Sequence, residues 1–182
     1  MSSELIKIKD KTFRKTISEQ EILLAVSNVA KRIEKDYSEA NPVFVVVLNG
    51  AFVFASDLLR LLNFPCTYSF TKLSSYEGVN SNGRIAEQLS VTEDITGRHV
   101  VIIEDIVDTG FSMQYLVKRL QERRPASIEI CALSHKPEKI QVDGLNIKYT
   151  GMTLPEAFIV GYGLDYDGEG RQLRDIYSLL ED

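Results

Sequence analysis

The chain has 182 residues, 44% of them hydrophobic, with 26 acidic against 21 basic side chains. That length and composition support one compact domain with a substantial core. A net charge of −5 argues against nonspecific binding to nucleic acid or an anionic membrane, so any phosphate ligand must be held by local groups.

Cys66 and Cys131 lie in strand-like apolar contexts outside any Cys/His ligand pattern. Buried free thiols are expected, with no structural zinc site. The N-terminal residues carry no long apolar run, and no stretch approaches membrane-spanning length. A cytoplasmic protein is expected.

Ser18-Glu-Gln-Glu21 is a capping-box pattern. Ile22, Leu23, Val26, Val29, Ala30 and Ile33 follow at helical spacing, which predicts a helix over 18–36. Asn41-Pro42 ends it. Val43–Leu48 is a continuous β-branched and aromatic run, as in a strand buried on both faces. A turn at Asn49-Gly50, a helix over 51–62 and a strand over about 65–73 follow. Residues 74–86 are polar and rich in Gly, Ser and Asn, which predicts a long loop. A strand over 87–92, a strand over 100–105, a helix over 112–123 and a strand over 127–133 come next. Met113, Leu116, Val117 and Leu120 form the apolar stripe of that second helix. The alternation predicts an α/β fold with a parallel sheet covered on both faces, and a ligand site at the carboxyl ends of its strands. After 134 the pattern shortens around Pro137, Pro155 and several glycines. A small lobe is expected there, not a continuation of the winding.

Residues 100–112 concentrate the chemistry. Four apolar β residues lead into Glu104 and Asp105, then Asp108-Thr-Gly-Phe-Ser112 opens a helix. Gly110 permits a tight turn, while Thr109, Ser112 and the first helical N–H groups suit a phosphate. Glu104 and Asp105 are consecutive, so they point to opposite sides of an extended strand. Carboxylates suit sugar hydroxyls and Mg²⁺. Asp108, in the turn, is placed to act as a general base. A merely acidic helix start would explain Asp108, but not the acid pair behind it. There is neither a nucleoside-triphosphate P-loop nor a dinucleotide fingerprint. On its own the turn specifies nothing narrower than a phosphorylated sugar ligand. His99 and His135 have no evident partners and read as surface or satisfied histidines.

An apolar strand, two acids, two apolar residues and Asp-Thr-Gly resemble the phosphoribosyltransferase signature. Four further patches, in matching order, resemble the bacterial-type hypoxanthine-guanine branch over nearly the whole chain. They are Val47-Leu48-Asn49-Gly50-Ala51, Ser75-Tyr76, Ser134-His135-Lys136-Pro137 and Phe158-Ile-Val-Gly-Tyr-Gly-Leu-Asp165 with Arg171 downstream. The resemblance implies the type I phosphoribosyltransferase fold, a single domain over 1–182. Its small hood lobe is built from the N- and C-terminal parts, with 134–182 forming much of the base-binding hood.

It also implies roles. Glu104 and Asp105 would hold the ribose hydroxyls of phosphoribosyl pyrophosphate and lie beside the metal. Asp108 would handle the proton at purine N7. Thr109, Gly110, Phe111 and Ser112 would hold the 5′-phosphate. Leu48, Asn49 and Gly50 would form the pyrophosphate loop, which in the family often has a cis peptide before its second residue. Lys136 would donate to the 6-oxo group, because an ammonium donates to a carbonyl oxygen and not to an amino group. Phe158 would stack on the purine, and Ile159 would offer backbone contacts to its edge. Asp165 would coordinate Mg²⁺, directly or through water, and Arg171 would bind pyrophosphate. Ser75 and Tyr76 would belong to a lid. Asn49 and Phe111 stand where some relatives have lysine, leaving the 5′-phosphate to backbone N–H groups and hydroxyls. The implied activity is Mg²⁺-dependent phosphoribosyl transfer to hypoxanthine and guanine, in a homodimer or homotetramer. The competing classes are a noncatalytic regulator that binds phosphoribosyl pyrophosphate and a same-fold enzyme for another base, such as xanthine or a pyrimidine. The acidic charge and the lack of a basic helix argue against the regulator.

Overall fold

The computed structural model describes residues 4–75 and 85–180. Strands β1 (Leu5–Ile8) and β2 (Lys11–Ile17) pair antiparallel and lead into helix α1 (Glu19–Tyr37). The predicted capping box is present: Ser18 Oγ accepts from the Glu21 N–H, and the Glu21 carboxylate accepts from the Ser18 N–H. Strand β3 (Val43–Leu48), helix α2 (Phe52–Leu59) and strand β4 (Thr67–Ser75) follow, then β5 (Ile85–Leu89) and β6 (His99–Val107). Helix α3 (Phe111–Gln121), β7 (Ser127–His135), β8 (Tyr149–Thr153), β9 (Ile159–Val160) and β10 (Ile176–Leu179) complete the order.

The larger sheet runs β5-β4-β3-β6-β7-β8 and is parallel except at β5, which pairs antiparallel with β4. Val43 to Val47 are all buried, as a strand covered on both faces requires. On one face Ile22, Val26 and Ile33 of α1 pack with Phe44, Val46, Ile103 and Leu133. On the other, Met113, Leu116 and Leu120 of α3 pack with Val45, Ile102 and Ala132. Each such large side chain contributes about 1.5–3 kcal/mol on burial. The second sheet, β1-β2-β10-β9, is antiparallel and joins the two ends of the chain around Phe13, Val160 and Tyr177.

Three expectations change. The winding continues past 134, because β8 pairs parallel with β7, Cys131 opposite Tyr149. Two contacts that no local pattern announces hold β8 there. Tyr149 is buried and its hydroxyl donates to Asp36 of α1 at 2.6 Å. Gly151 comes so near β7 that a Cβ would stand 2.6 Å from the Leu133 carbonyl oxygen. The strand expected over 87–92 lies at 85–89, and the loop is shorter than 74–86. Ser74 and Ser75 pair antiparallel with Ala86 and Ile85 at the edge of the sheet. Residues 5–17, which no sequence signal assigned, form two strands of the hood sheet. Tyr76 and the rest of the expected lid lie outside the described residues.

Both cysteines are free thiols; Cys131 is buried as expected, whereas Cys66 is only partly buried. His99 is satisfied, with Nδ1 2.8 Å from Ser127 Oγ. Among the described residues no helix is long and apolar enough to cross a membrane.

Candidate active site

The carboxyl ends of β3 and β6 and the start of α3 enclose a cleft, walled by Leu48, Glu104, Asp108, Thr109, Gly110 and Ser112 among others. Strand-then-helix connections place it there. Strands β3 and β6 each turn sharply into a helix, α2 and α3, at their carboxyl ends.

The start of α3 is built open. Gly110 precedes the helix with φ +88°, and no side chain caps it. Its first turn contains no acid. The leading N–H groups of a helix have no partners within it and carry partial positive charge. At α3 they open beside the cleft, with the hydroxyls of Thr109 and Ser112 nearby. That arrangement suits a phosphate. Phe111 is half exposed at the first helical position.

Glu104 and Asp105 are consecutive near the end of β6, and their carboxyl groups lie close enough to act on each other. Glu104 lies in the cleft, and burial, followed by the neighbouring Asp105 charge, holds its carboxyl well above the usual range. Asp105 is buried and accepts a hydrogen bond from the Ile106 N–H at 2.9 Å. Its carboxylate fills the space beside Gly50, where a Cβ would meet Asp105 Oδ2 at 1.7 Å. Gly50 thus leaves the room that the Asp105 carboxylate occupies. The peptide between Leu48 and Asn49 is cis.

Asp108 lies between two ammonium groups. Lys136 Nζ is 3.9 Å from one carboxylate oxygen, and Lys139 Nζ is 3.9 Å from the other. Oδ1 of Asp108 is buried with no hydrogen-bond partner among the described residues, and so is Nδ1 of His135. Lys136 is only 5% exposed. Burial pushes its ammonium down from the ordinary value, and Asp108 partly opposes this. A buried cation beside an incompletely bonded carboxylate is a costly arrangement for stability alone. Lys139 escaped the sequence analysis. Pro137 opens a single 3-10 turn that returns residue 139 to residue 136, so the Lys-Pro-Glu-Lys spacing is the signal that locates it.

Phe158 is 46% exposed and packs against Phe13 and Tyr166, with ring centroids 6.4 and 5.9 Å away. Ile159 is buried in β9 opposite Ser178. Asp165 and Arg171 are engaged with each other at 2.7 Å. Asp165 also accepts from the Gly168 N–H, and Arg171 donates to the Gly163 carbonyl at 2.6 Å. The structure thus brings Glu104, Asp105, Asp108, the 109–112 turn, Leu48 and Gly50 together, with Lys136 beside Asp108. It does not bring Asp165 to Glu104 and Asp105. Among the described residues no three His, Cys, Asp or Glu side chains form a metal-holding group.

An open helix start beside an acid pair, at the edge of a parallel sheet, defines an α/β protein for a phosphorylated, hydroxyl-bearing ligand. The model of the phosphoribosyl transferase domain matches residues 14–167, and the chain belongs to that family. It is 38% identical over 167 residues to a hypoxanthine-guanine phosphoribosyltransferase of Streptococcus pneumoniae, covering 91% of this chain and 92% of that protein. Among solved structures, a hypoxanthine-guanine phosphoribosyltransferase from Bacillus anthracis superposes with a TM-score of 0.86 at 35% identity, covering 96% of this chain and all of the other. A hypoxanthine phosphoribosyltransferase from Trypanosoma cruzi, a lysine-to-arginine variant complexed with the product IMP, gives 0.85 at 36% identity, with coverages of 96% and 93%.

Proposed function

We propose that this chain transfers the 5-phosphoribosyl group of phosphoribosyl pyrophosphate to N9 of hypoxanthine, and of guanine, in purine salvage. The products are IMP or GMP and pyrophosphate. The observation that carries this is Asp108, held between Lys136 and Lys139 next to an uncapped helix start. The relatives named above, with their printed activities, support it.

The bond from C1 of the ribose to pyrophosphate breaks with its electron pair leaving on oxygen, and C1 gains oxocarbenium character. N9 of the purine forms the new bond, and Asp108 accepts the proton from N7. Lys136, buried and beside Asp108, donates to the 6-oxo oxygen. Phe158 offers its exposed ring to the purine face, and Ile159 its backbone to the purine edge. The N–H groups at 110–112 with Thr109 and Ser112 hold the 5′-phosphate and align the sugar. Glu104 accepts from a ribose hydroxyl in the cleft, with Asp105 behind it. Leu48, Asn49 and Gly50 carry backbone donors for pyrophosphate. Arg171 reaches pyrophosphate by leaving Asp165, which needs a shift in the 165–171 loop.

The donor set fits Mg²⁺. Two adjoining carboxylates, one pushed up by burial and by the other's charge, suit a divalent cation. Mg²⁺ keeps much of its water, so two protein carboxylates are enough to hold it. Glu104 and Asp105 would hold it, and it would neutralise the leaving pyrophosphate; Asp165, engaged with Arg171, would serve a metal, directly or through water, only after the 165–171 loop shifts. A lid at Ser75-Tyr76 that excludes water, a hood supplied by 134–182 and a cytoplasmic homodimer or homotetramer belong to the same proposal. The half-exposed Phe52, Tyr68 and Phe70 support self-association.

The test is a panel of bases with phosphoribosyl pyrophosphate and Mg²⁺. Product from hypoxanthine and guanine is expected. No product from hypoxanthine, guanine or xanthine would overturn the assignment.

A further inference from the structure

The turn Gly161-Tyr162-Gly163 packs against the Asn49-Gly50 turn on one side and Asp175 on the other. It begins two residues after Ile159, and all three residues have positive φ: 100°, 50° and 100°. Close backbone contact explains the glycines. A Cβ on Gly161 would stand 2.1 Å from the Asp175 carbonyl oxygen, and one on Gly163 would stand 2.2 Å from the Gly50 carbonyl oxygen. Gly163 therefore rests on the pyrophosphate loop, and Asp105 closes on Gly50 as well.

Tyr162 is not a glycine, and a side chain in the left-handed region is disfavoured. Something must hold it there. The side chain is 3% exposed, and its hydroxyl donates to Asp57 Oδ2 at 2.6 Å. Asp57 lies on α2, the helix that begins just after Asn49-Gly50. Burial, then the bond to Asp57, pushes the tyrosine hydroxyl well above its ordinary range, so it remains a donor. The base side and the pyrophosphate side are thus joined twice, by Gly163 on Gly50 and by Tyr162 on Asp57.

We propose that Tyr162 and Asp57 are positioning residues that couple the base subsite to the pyrophosphate loop. Neither touches substrate. A base seated on Phe158 and Ile159 fixes the turn that follows them. The Tyr162–Asp57 bond carries that constraint to α2 and to the loop at its start. Filling one subsite then changes affinity at the other, and the change is reciprocal. This rests on the transferase function proposed above.

The experiment titrates the 182-residue chain with pyrophosphate and Mg²⁺ at equilibrium, without and with saturating hypoxanthine, a pair that binds without reacting, and follows product formation from phosphoribosyl pyrophosphate separately. The coupling factor is the ratio of Kd for pyrophosphate without base to that at saturating base. The expected factor is about fivefold or more in the unaltered chain and falls to within about twofold of unity in Tyr162→Phe. Asp57→Leu should behave like Tyr162→Phe. Asp57→Asn keeps an acceptor and should restore the original factor, which a merely structural role would not require. If Tyr162→Phe fails to fold, the two Asp57 variants decide. A factor of one in the unaltered chain, or an unchanged factor in active Tyr162→Phe or Asp57→Leu, overturns the coupling. No product from the unaltered chain with any 6-oxopurine overturns the transferase function and the coupling with it.

Discussion

Helices α1 and α3 begin in opposite ways. At α1 two nearby acids bond the leading N–H groups, although Asp175 also pairs with Lys15 and Glu19 meets Arg174. Ser18 and Glu21 bond each other's backbone N–H groups, and Asp175 accepts from the Glu19 N–H at 2.8 Å. At α3 no side chain caps the helix and the first turn has no acid. Asp108 lies close by yet leaves one oxygen without a hydrogen-bond partner among the described residues. Helix α2, which opens from the Asn49-Gly50 turn, also lacks a side-chain cap and a first-turn acid. A helix start that serves only the fold closes on itself. The start of α3, which meets the cleft, leaves its donors open, which lowers helix stability and keeps a site for an anion, whereas at α2 the Phe52 N–H is bonded to the Asn49 carbonyl oxygen at 3.4 Å.

The largest effect tests the unused acid. Asp108→Asn keeps size and polarity but removes the proton acceptor. Turnover should fall by about 10²–10⁴-fold, the usual weight of a general base. Nucleotide affinity should change far less, and equal losses in both would contradict the assigned role.

A second variant makes α3 resemble α1. Ser112→Asp adds an acid to the first turn, where it can bond the open N–H groups. KM for phosphoribosyl pyrophosphate should rise about tenfold to a hundredfold, matching the loss of one or two hydrogen bonds to a charged group. The thermal midpoint should hold or rise, because an acid at a helix start contributes about 0.3–1 kcal/mol. A fall in midpoint with KM unchanged would show that the open end is no phosphate site.

The contrast also explains what the sequence reveals. The α1 cap is local, with partners three residues apart, so Ser18-Glu-Gln-Glu21 announces it. Strands β3, β6 and β7 are visible for a similar reason, since burial on both faces writes a continuous apolar run. The Asp108–Ser112 turn is legible because strand, turn and helix are consecutive. Lys139 beside Asp108, Gly163 on Gly50 and Tyr162 on Asp57 are contacts between distant segments, and no window of sequence contains both partners. Strand β8 was missed because it is a short edge strand held by Tyr149 and Gly151 through contacts with α1 and β7. Asp165 and Arg171 match the family's pattern, but a pattern does not show that they engage each other.

A third variant concerns Glu104, whose carboxyl lies well above its ordinary value near 4.5. In the folded chain its ionised form is disfavoured, so the folded state binds more protons than the unfolded one between the two values. Stability therefore falls as pH rises through the folded-state value, and the penalty is complete above it. Glu104→Gln should raise the ligand-free thermal midpoint at neutral pH and flatten that part of its pH profile, while product formation drops. An unchanged midpoint and profile would mean that Glu104 carries no such burden.

The smallest effect belongs to α1. Ser18→Ala removes one cap hydrogen bond and should cost about 1 kcal/mol. In a chain of this size that lowers the midpoint by about 2–4 °C. Turnover and both KM values should stay as they were, because α1 contributes no group to the cleft. Calorimetry and initial rates on the same preparation decide it. Loss of turnover beyond the unfolded fraction would mean that the α1 start reaches the active site through Asp175 and the Gly161 turn packed on it, and the division between closed and open helix starts would fail.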